Sequence, residues 1–324
     1  MNFEICFLTY MARSGSTLLA RELDQYAQIG VTIEDALPDG ILHGEKVYIG
    51  NREELEKYTK KITRCIKFKG WGVSQKQIIH KIDNDYTYPV FLSDFFKAIY
   101  ELYFHTSTPE IIIHKKGRYY LKVDEIRKNF PTVKFLHLVR DPRAVYNSQK
   151  KSTDSVTKKP MASNIVAFCL NYRKMHEVIN KYKKRDYFKR IYYEDIVDNK
   201  VDVIRDILKF LELSNTSKLL SDYYDKIPEN QRYLHENLTR GLLTSRKTSW
   251  KEELSSLEIS ILENCLRREM REDGYALSKR NPENIFQYMR MILLISVFFL
   301  KYYASKFFPA IYLKLKQIRN KSIE

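Results

Sequence analysis

The chain has 324 residues, 44% of them hydrophobic and 30% charged, with only 10 Gly and 9 Pro; this excludes a disordered or fibrous protein and leaves room for one large α/β domain or two smaller ones. Its 56 Lys and Arg exceed its 40 Asp and Glu by 16, which favours an anionic partner: nucleic acid, a membrane surface, or a phosphorylated or sulfated small molecule. The four cysteines, Cys6, Cys65, Cys169 and Cys265, lie far apart without a CxxC pair, and the seven histidines form no HExxH, which argues against a disulfide scaffold, a structural zinc site and a metalloenzyme.

The first residues, Asn2-Phe3-Glu4-Ile5, lack the basic start and long apolar core of a signal peptide, so the expected location is the cytoplasm. In that setting the glycosylation patterns at Asn215 and Asn237 carry no meaning. Phe3–Tyr10 predicts a strand, followed by a Ser/Gly turn and a helix over Thr17–Tyr26. Ile111–His114 predicts a second strand, Val133–Val139 a third ending at Arg140, and Arg190–Tyr193 a fourth that leads into a helix through Leu211. Asn164–Lys184 and Leu254–Arg271 have helical spacing. Strands alternating with helices predict an α/β fold, a parallel sheet covered by helices. The end of the chain differs: Met291–Leu300 is a charge-free run bounded by Arg290 and Lys301, and Tyr302–Leu315 is again aromatic and aliphatic. Taken as ten residues it is too short to span a bilayer, which needs about 20. Two readings stand side by side, an interfacial helix on anionic lipid over 285–318 and a helix packed on the catalytic core. The domain division expected is 1–281, catalytic, and 282–324, a basic, aromatic helical segment.

Two motifs carry the chemistry. Tyr10-Met11-Ala12-Arg13-Ser14-Gly15-Ser16-Thr17 joins a strand to a helix in the manner of the phosphate-binding pattern GxxxxGK[ST]. Gly15 and Thr17 match the pattern; Tyr10 replaces its first glycine and Ser16 its lysine. A helix N-terminus that holds an anion survives, with Arg13 at its mouth, whereas the missing lysine and the lack of an evident magnesium carboxylate disfavour an ATPase or kinase. The second motif is Leu138-Val139-Arg140-Asp141-Pro142-Arg143-Ala144-Val145-Tyr146-Asn147-Ser148, a strand-to-helix corner in which Pro142 suits an early helical position. Arg140 and Ser148 are candidates to meet on one phosphate.

The order of these motifs resembles the sulfotransferases that use 3′-phosphoadenosine 5′-phosphosulfate (PAPS), including carbohydrate and tyrosylprotein sulfotransferases. The segments Arg190–Ile196, Ile207–Leu213, Trp250-Lys251 and Gly274-Tyr275 are similar to later landmarks of that family, so the resemblance spans roughly residues 1–277. It implies a three-layer α/β sandwich of the P-loop nucleotide-hydrolase type around a parallel sheet. It also implies transfer of a sulfuryl group from PAPS to an acceptor hydroxyl, without metal, leaving adenosine 3′,5′-bisphosphate (PAP). By resemblance Arg13, Ser14, Gly15, Ser16 and Thr17 hold the phosphosulfate end and Arg140 and Ser148 the 3′-phosphate, with Arg246 reaching the same phosphate from the C-terminal region. Glu34, 21 residues after Arg13, stands where relatives carry a catalytic base, with Asp35, His43 and Glu45 in reserve. Lys115, in His114-Lys115-Lys116-Gly117-Arg118-Tyr119, resembles the lysine of a DKTPRY-like segment; Gly117 replaces the proline and His114 the acid, which leaves Lys115 and Lys116 both open. Ala12 in place of a proline and Tyr10 in place of a glycine alter the start of the loop.

The expected activity is sulfation of a hydroxyl on a carbohydrate or glycolipid, met at the inner face of a membrane, and no nucleic acid is expected. The competing readings are a tyrosylprotein sulfotransferase, a divergent kinase using ATP, and a non-enzymatic basic binder of membranes or nucleic acid.

Overall fold

The computed structural model describes residues 3–34, 48–107, 109–153, 159–162, 164–213, 245–278 and 280–307. The reserve bases Asp35, His43 and Glu45, both glycosylation patterns and the part of the C-terminal segment beyond 307 lie outside them. In chain order the elements begin with β1 (Glu4–Tyr10), α1 (Ser16–Leu23), β2 (Ile29–Val31), β3 (Tyr48–Ile49), α2 (Arg52–Thr63), α3 (Ile66–Lys69) and α4 (Gln75–Asp85). They continue with β4 (Val90–Phe91), α5 (Leu92–Tyr103), β5 (Ile111–Lys115), a 3-10 turn at Gly117–Lys122, α6 (Val123–Asn129), β6 (Lys134–Val139), α7 (Pro142–Lys151) and α8 (Ile165–Asn180). The last are β7 (Phe188–Tyr192), α9 (Tyr193–Asp198), α10 (Lys200–Phe210), α11 (Ser245–Thr248), α12 (Trp250–Glu253), α13 (Ser256–Cys265), α14 (Arg267–Glu272) and α15 (Ile285–Phe307).

The chain divides into two units, one of residues 1–140 and 181–244, the other of 141–180 and 245–324. The divisions therefore fall at 140/141, 180/181 and 244/245, whereas the sequence had suggested one at 281/282; α15 belongs with α7, α8 and α11–α14.

The first unit is an α/β sandwich. Its five-stranded sheet has the order β2-β5-β1-β6-β7, with every neighbouring pair parallel. Alternate residues of a strand face opposite sides, and β1 shows why the sheet is covered twice. Cys6, Leu8 and Tyr10 join Leu19, Ala20 and Leu23 of α1 and Ile204, Ile207 and Leu208 of α10 in one aliphatic core. Phe7, between them, faces an aromatic layer, stacking on Phe135 at 5.7 Å and meeting Tyr119 edge-on at 5.5 Å and Phe130 at 6.2 Å. His114 is buried in that layer, bonded through Nδ1 to the Tyr100 hydroxyl at 2.8 Å and stacked on Tyr119. The residue that replaces the family's acid is thus a core residue.

The second unit is helical among its described residues. Asp141 caps α7 by accepting from Arg143 N, with Pro142 in the first turn as expected. The Arg143 guanidinium is buried between Asp141 Oδ2 at 2.7 Å and Glu263 Oε1 at 2.6 Å and lies over the Trp250 ring. The helix expected over 254–271 is instead two, because the chain turns out of helical geometry at Leu266 (φ −114°, ψ 20°).

Candidate active site at the carboxyl ends of the strands

Parallel strands deliver the residues that follow them to one edge of the sheet, where open α/β sheets bind ligands. The loop Met11–Gly15 follows β1, Thr32–Glu34 follow β2, Lys115 closes β5, Arg140 follows β6 and Tyr193 follows β7. Read across the strand order, the edge carries Glu34, Lys115, the loop, Arg140 and Tyr193.

The loop is built for an anion. Arg13 (φ 72°) and Gly15 (φ 95°) both adopt left-handed geometry, and Ser14 N donates to Met11 O at 3.1 Å. A Cβ at Gly15 would sit 2.4 Å from the Tyr193 ring, so glycine is required twice over, by conformation and by space. Helix α1 starts at Ser16, and its first main-chain bond runs from Leu19 N to Gly15 O at 3.2 Å. The N–H groups of Ser16, Thr17 and Leu18 precede that bond, and with the helix dipole they favour a negative charge at the mouth of the loop.

A lysine reaches this loop from the neighbouring strand. Lys115 is buried, its Nζ donates to Thr17 Oγ1 at 3.0 Å, and its main-chain N donates to Thr32 Oγ1 at 3.1 Å. Burial pushes its pKa down to about 8, against the opposing pull of the Glu34 carboxylate. Lys116 instead ties its main-chain N to Leu8 O. Between the two lysines left open by the sequence, Lys115 is the one whose amine lies on the loop threonine.

Glu34 is half-buried and accepts from Lys67 Nζ at 2.9 Å and from the Tyr10 hydroxyl at 3.0 Å. Burial by itself would raise its pKa, but the charges of Lys67, Lys115 and Lys116 outweigh it and hold the carboxyl at about 2. It is therefore ionised throughout the neutral range. Tyr10, which stands in place of the pattern's first glycine, packs into the core. Its ring is buried, its hydroxyl points to Glu34, and a Cβ at position 117 would lie 3.1 Å from Tyr10 O and 3.3 Å from the ring. The two departures from the family pattern, Tyr10 for glycine and Gly117 for proline, fit each other.

Arg140 is buried, donates from Nη1 to Arg13 O at 3.0 Å and lies over the Tyr193 ring at 4.1 Å. Tyr193 thus packs on Gly15 and on Arg140 at once, and the loop is fixed from the β6 and β7 side by these contacts. Ser148 lies half-buried on α7 of the second unit, and Arg246 is exposed on α11 of the same unit. Lys67 and Tyr193 escaped the sequence reading. Lys67 stands in a lysine-rich stretch 33 residues from its partner and has no local signal; Tyr193 was visible only as part of the segment Tyr192-Tyr193-Glu194-Asp195.

A glycine-containing loop between a central parallel strand and a helix, with cations at the adjacent strand ends, defines an α/β protein of the P-loop type that binds an anionic nucleotide. The sulfotransferase family profile matches residues 6–217, and the chain belongs to that family; it is a PAPS-dependent sulfotransferase. Solved structures agree in fold. The sulfotransferase domain from the curacin biosynthetic pathway is 17% identical, with a TM-score of 0.54 over 86% of this chain and 99% of that one. The sulfotransferase domain from the Synechococcus PCC 7002 olefin synthase is 18% identical, with a TM-score of 0.51 over 92% and 95%. No curated protein matches the sequence.

Proposed function

We propose that this chain transfers the sulfuryl group of PAPS to an acceptor hydroxyl with Glu34 as the proton acceptor and Lys115 and Arg13 as the groups that meet developing charge. The observation that carries the reading is the contact of Lys115 Nζ with Thr17 Oγ1, which sets a buried ammonium on the phosphate loop in the place of the absent loop lysine. The donor set fits PAPS: a helix N-terminus and two buried cationic side chains, Lys115 and Arg140, suit two anionic ends. Ser14, Gly15, Ser16 and Thr17 would hold the phosphosulfate end through main-chain N–H groups and hydroxyls. Arg140 would hold the 3′-phosphate. When bound, PAPS supplies the sulfuryl group and an anionic leaving group, PAP.

The chain's own residues do the rest. Lys115 stays protonated near neutrality and lowers the cost of charge on the departing phosphate oxygen. Glu34, ionised, accepts a hydrogen bond from the acceptor hydroxyl and takes its proton as the acceptor oxygen bonds to sulfur. Its low basicity means that the proton moves late, once bond formation has made the hydroxyl acidic. A sugar hydroxyl of a polysaccharide or glycolipid is the acceptor we favour, in keeping with a strongly cationic chain that would attract anionic glycans and membranes.

Calorimetric titration with PAP tests the reading, with ATP and AMP as controls. Tight binding that needs the 3′-phosphate and collapses in Arg140→Ala supports it. Preference for ATP with magnesium, or no binding of PAP, overturns it in favour of a kinase-like or non-enzymatic protein.

A further inference from the structure

Helix α15 is apolar on both of its faces, which a helix at the edge of a water-soluble unit does not require. Its inner face is accounted for. Met291 and Phe298 are buried, the Arg173 guanidinium of α8 lies 4.6 Å from the Phe298 ring centroid and 4.8 Å from that of Tyr302, and the Tyr302 hydroxyl donates to Glu177 Oε1 at 2.5 Å. Arg173 in turn is paired with Glu269 at 2.9 Å.

Among the described residues of its unit, the outer face has no such partner. Phe286, Met289, Leu293, Ser296, Leu300, Tyr303 and Phe307 follow one another at alternating steps of three and four, the spacing of a single stripe. Phe286 is 80% exposed, Leu300 71% and Phe307 67%, and the stripe carries no charge. The 23 residues of α15 make it about 34 Å long. Counted on a helical wheel, Arg290 and Lys301 fall along one border between the two faces and Lys306 along the other. Beyond the described residues the sequence adds Lys314, Lys316, Arg319 and Lys321 with a single acid, the terminal Glu324.

We infer that the outer face of α15 docks the enzyme on an anionic lipid surface, with the helix lying in the plane of the interface and its bordering cations among the headgroups. Charge decides the occupant. A 3–4 stripe also suits a second copy of the chain, but two copies would each bring a net charge of +16, whereas an anionic bilayer complements it. The inner face decides the posture. The helix is long and apolar enough to cross a membrane, unlike the ten-residue run read from the sequence, yet crossing would carry the Arg173–Glu269 pair and Glu177 into hydrocarbon or strip them from the helix. An in-plane helix keeps those contacts and buries only the stripe.

The test is co-sedimentation of the full chain with vesicles of phosphatidylcholine alone and with added phosphatidylglycerol, for the wild type, Leu293→Glu/Leu300→Glu, and Arg290→Gln/Lys301→Gln/Lys306→Gln. Binding to the anionic vesicles should fall at least about tenfold in each variant and weaken with salt. PAP binding should be unchanged in both, which separates this docking from the cofactor reading and shows that the variants fold. Two results would overturn the inference: no vesicle binding together with a dimer that Leu293→Glu/Leu300→Glu dissolves, which assigns the face to a second copy, or protein that resists alkaline extraction, which makes the helix a span.

Discussion

In the role proposed for it, Lys115 would answer to two opposed demands: a sulfuryl-transfer site needs a cation beside the leaving oxygen, and a buried amine resists protonation. With its pKa at about 8, the side chain is charged at neutral pH and loses its charge as pH rises through that value. Turnover should therefore fall on an alkaline limb near pH 8. Lys115→Arg should move that limb upward, because the guanidinium stays charged, and Lys115→Ala should lower kcat by about 10²–10³ at pH 7. A pH–rate profile of the three proteins decides it; an unmoved limb in Lys115→Arg assigns the titration to another group. Glu34 makes the complementary case. Its pKa of about 2 predicts no acid limb from this carboxyl between about pH 4 and pH 7. Lys67→Met removes the first of the charges that lower it, so burial should raise the pKa and an acid limb should appear. Glu34→Gln should lower kcat by about 10²–10⁴, and near wild-type turnover in that variant would remove Glu34 from the proton-transfer role.

At the scale of elements, the loop between β1 and α1 depends on contacts that no local pattern announces. Gly15→Ala places a methyl against the Tyr193 ring and forces an L residue to φ 95°, so the loop must shift away from the Arg140–Tyr193 side that holds it. The expected outcome is a stability loss of about 1–3 kcal/mol and a much larger loss of PAP affinity, measured by denaturant titration and calorimetry. Loss of stability alone, with PAP affinity intact, would leave Gly15 a folding residue only. The sheet strands β1, β5 and β6 were legible because each is a short, largely apolar run ending at a turn or a charge, whereas β7, with Lys189 and Arg190 inside it, was read only from Arg190 onward. Helix α2 was not, since only Leu55, Thr59 and Ile62 of its twelve residues are buried and most of the rest are lysines and glutamates. The site divides the same way. Arg13, Gly15, Thr17 and Arg140 stand in contiguous motifs at strand ends, whereas the Glu34–Lys67 pair and the fit of Tyr10 to Gly117 join residues 33 and 107 apart in sequence. Contacts of that kind depend on tertiary packing, which a single sequence records only as unexplained departures from a pattern. The 23-residue length of α15 was hidden for a related reason: Arg290, Lys301 and Lys306 interrupt the apolar text while lying along the borders of the helix.

For the molecule as a whole the governing quantity is its charge. A net +16 sets up a field that extends about one Debye length, roughly 8–10 Å near physiological salt, and that field acts on an anionic sulfuryl donor before any side chain touches it. The local contacts of the loop, Lys115 and Arg140 are short and partly buried, so salt screens them far less. The two contributions therefore separate in a titration of ionic strength. Raising salt from about 0.05 to 0.5 M should lower kcat/KM for PAPS severalfold through slower capture, while kcat, set by buried groups, should hold steady. Arg140→Ala should lower affinity at every salt concentration and leave the slope almost unchanged, because it would remove one proposed anchor while taking a single charge from a net of +16. A kcat/KM indifferent to salt would show that capture of the donor owes nothing to the excess charge. That charge would then have to be explained by the acceptor or the lipid surface alone, and the same titration run on acceptor concentration and on vesicle binding would show which of the two it serves.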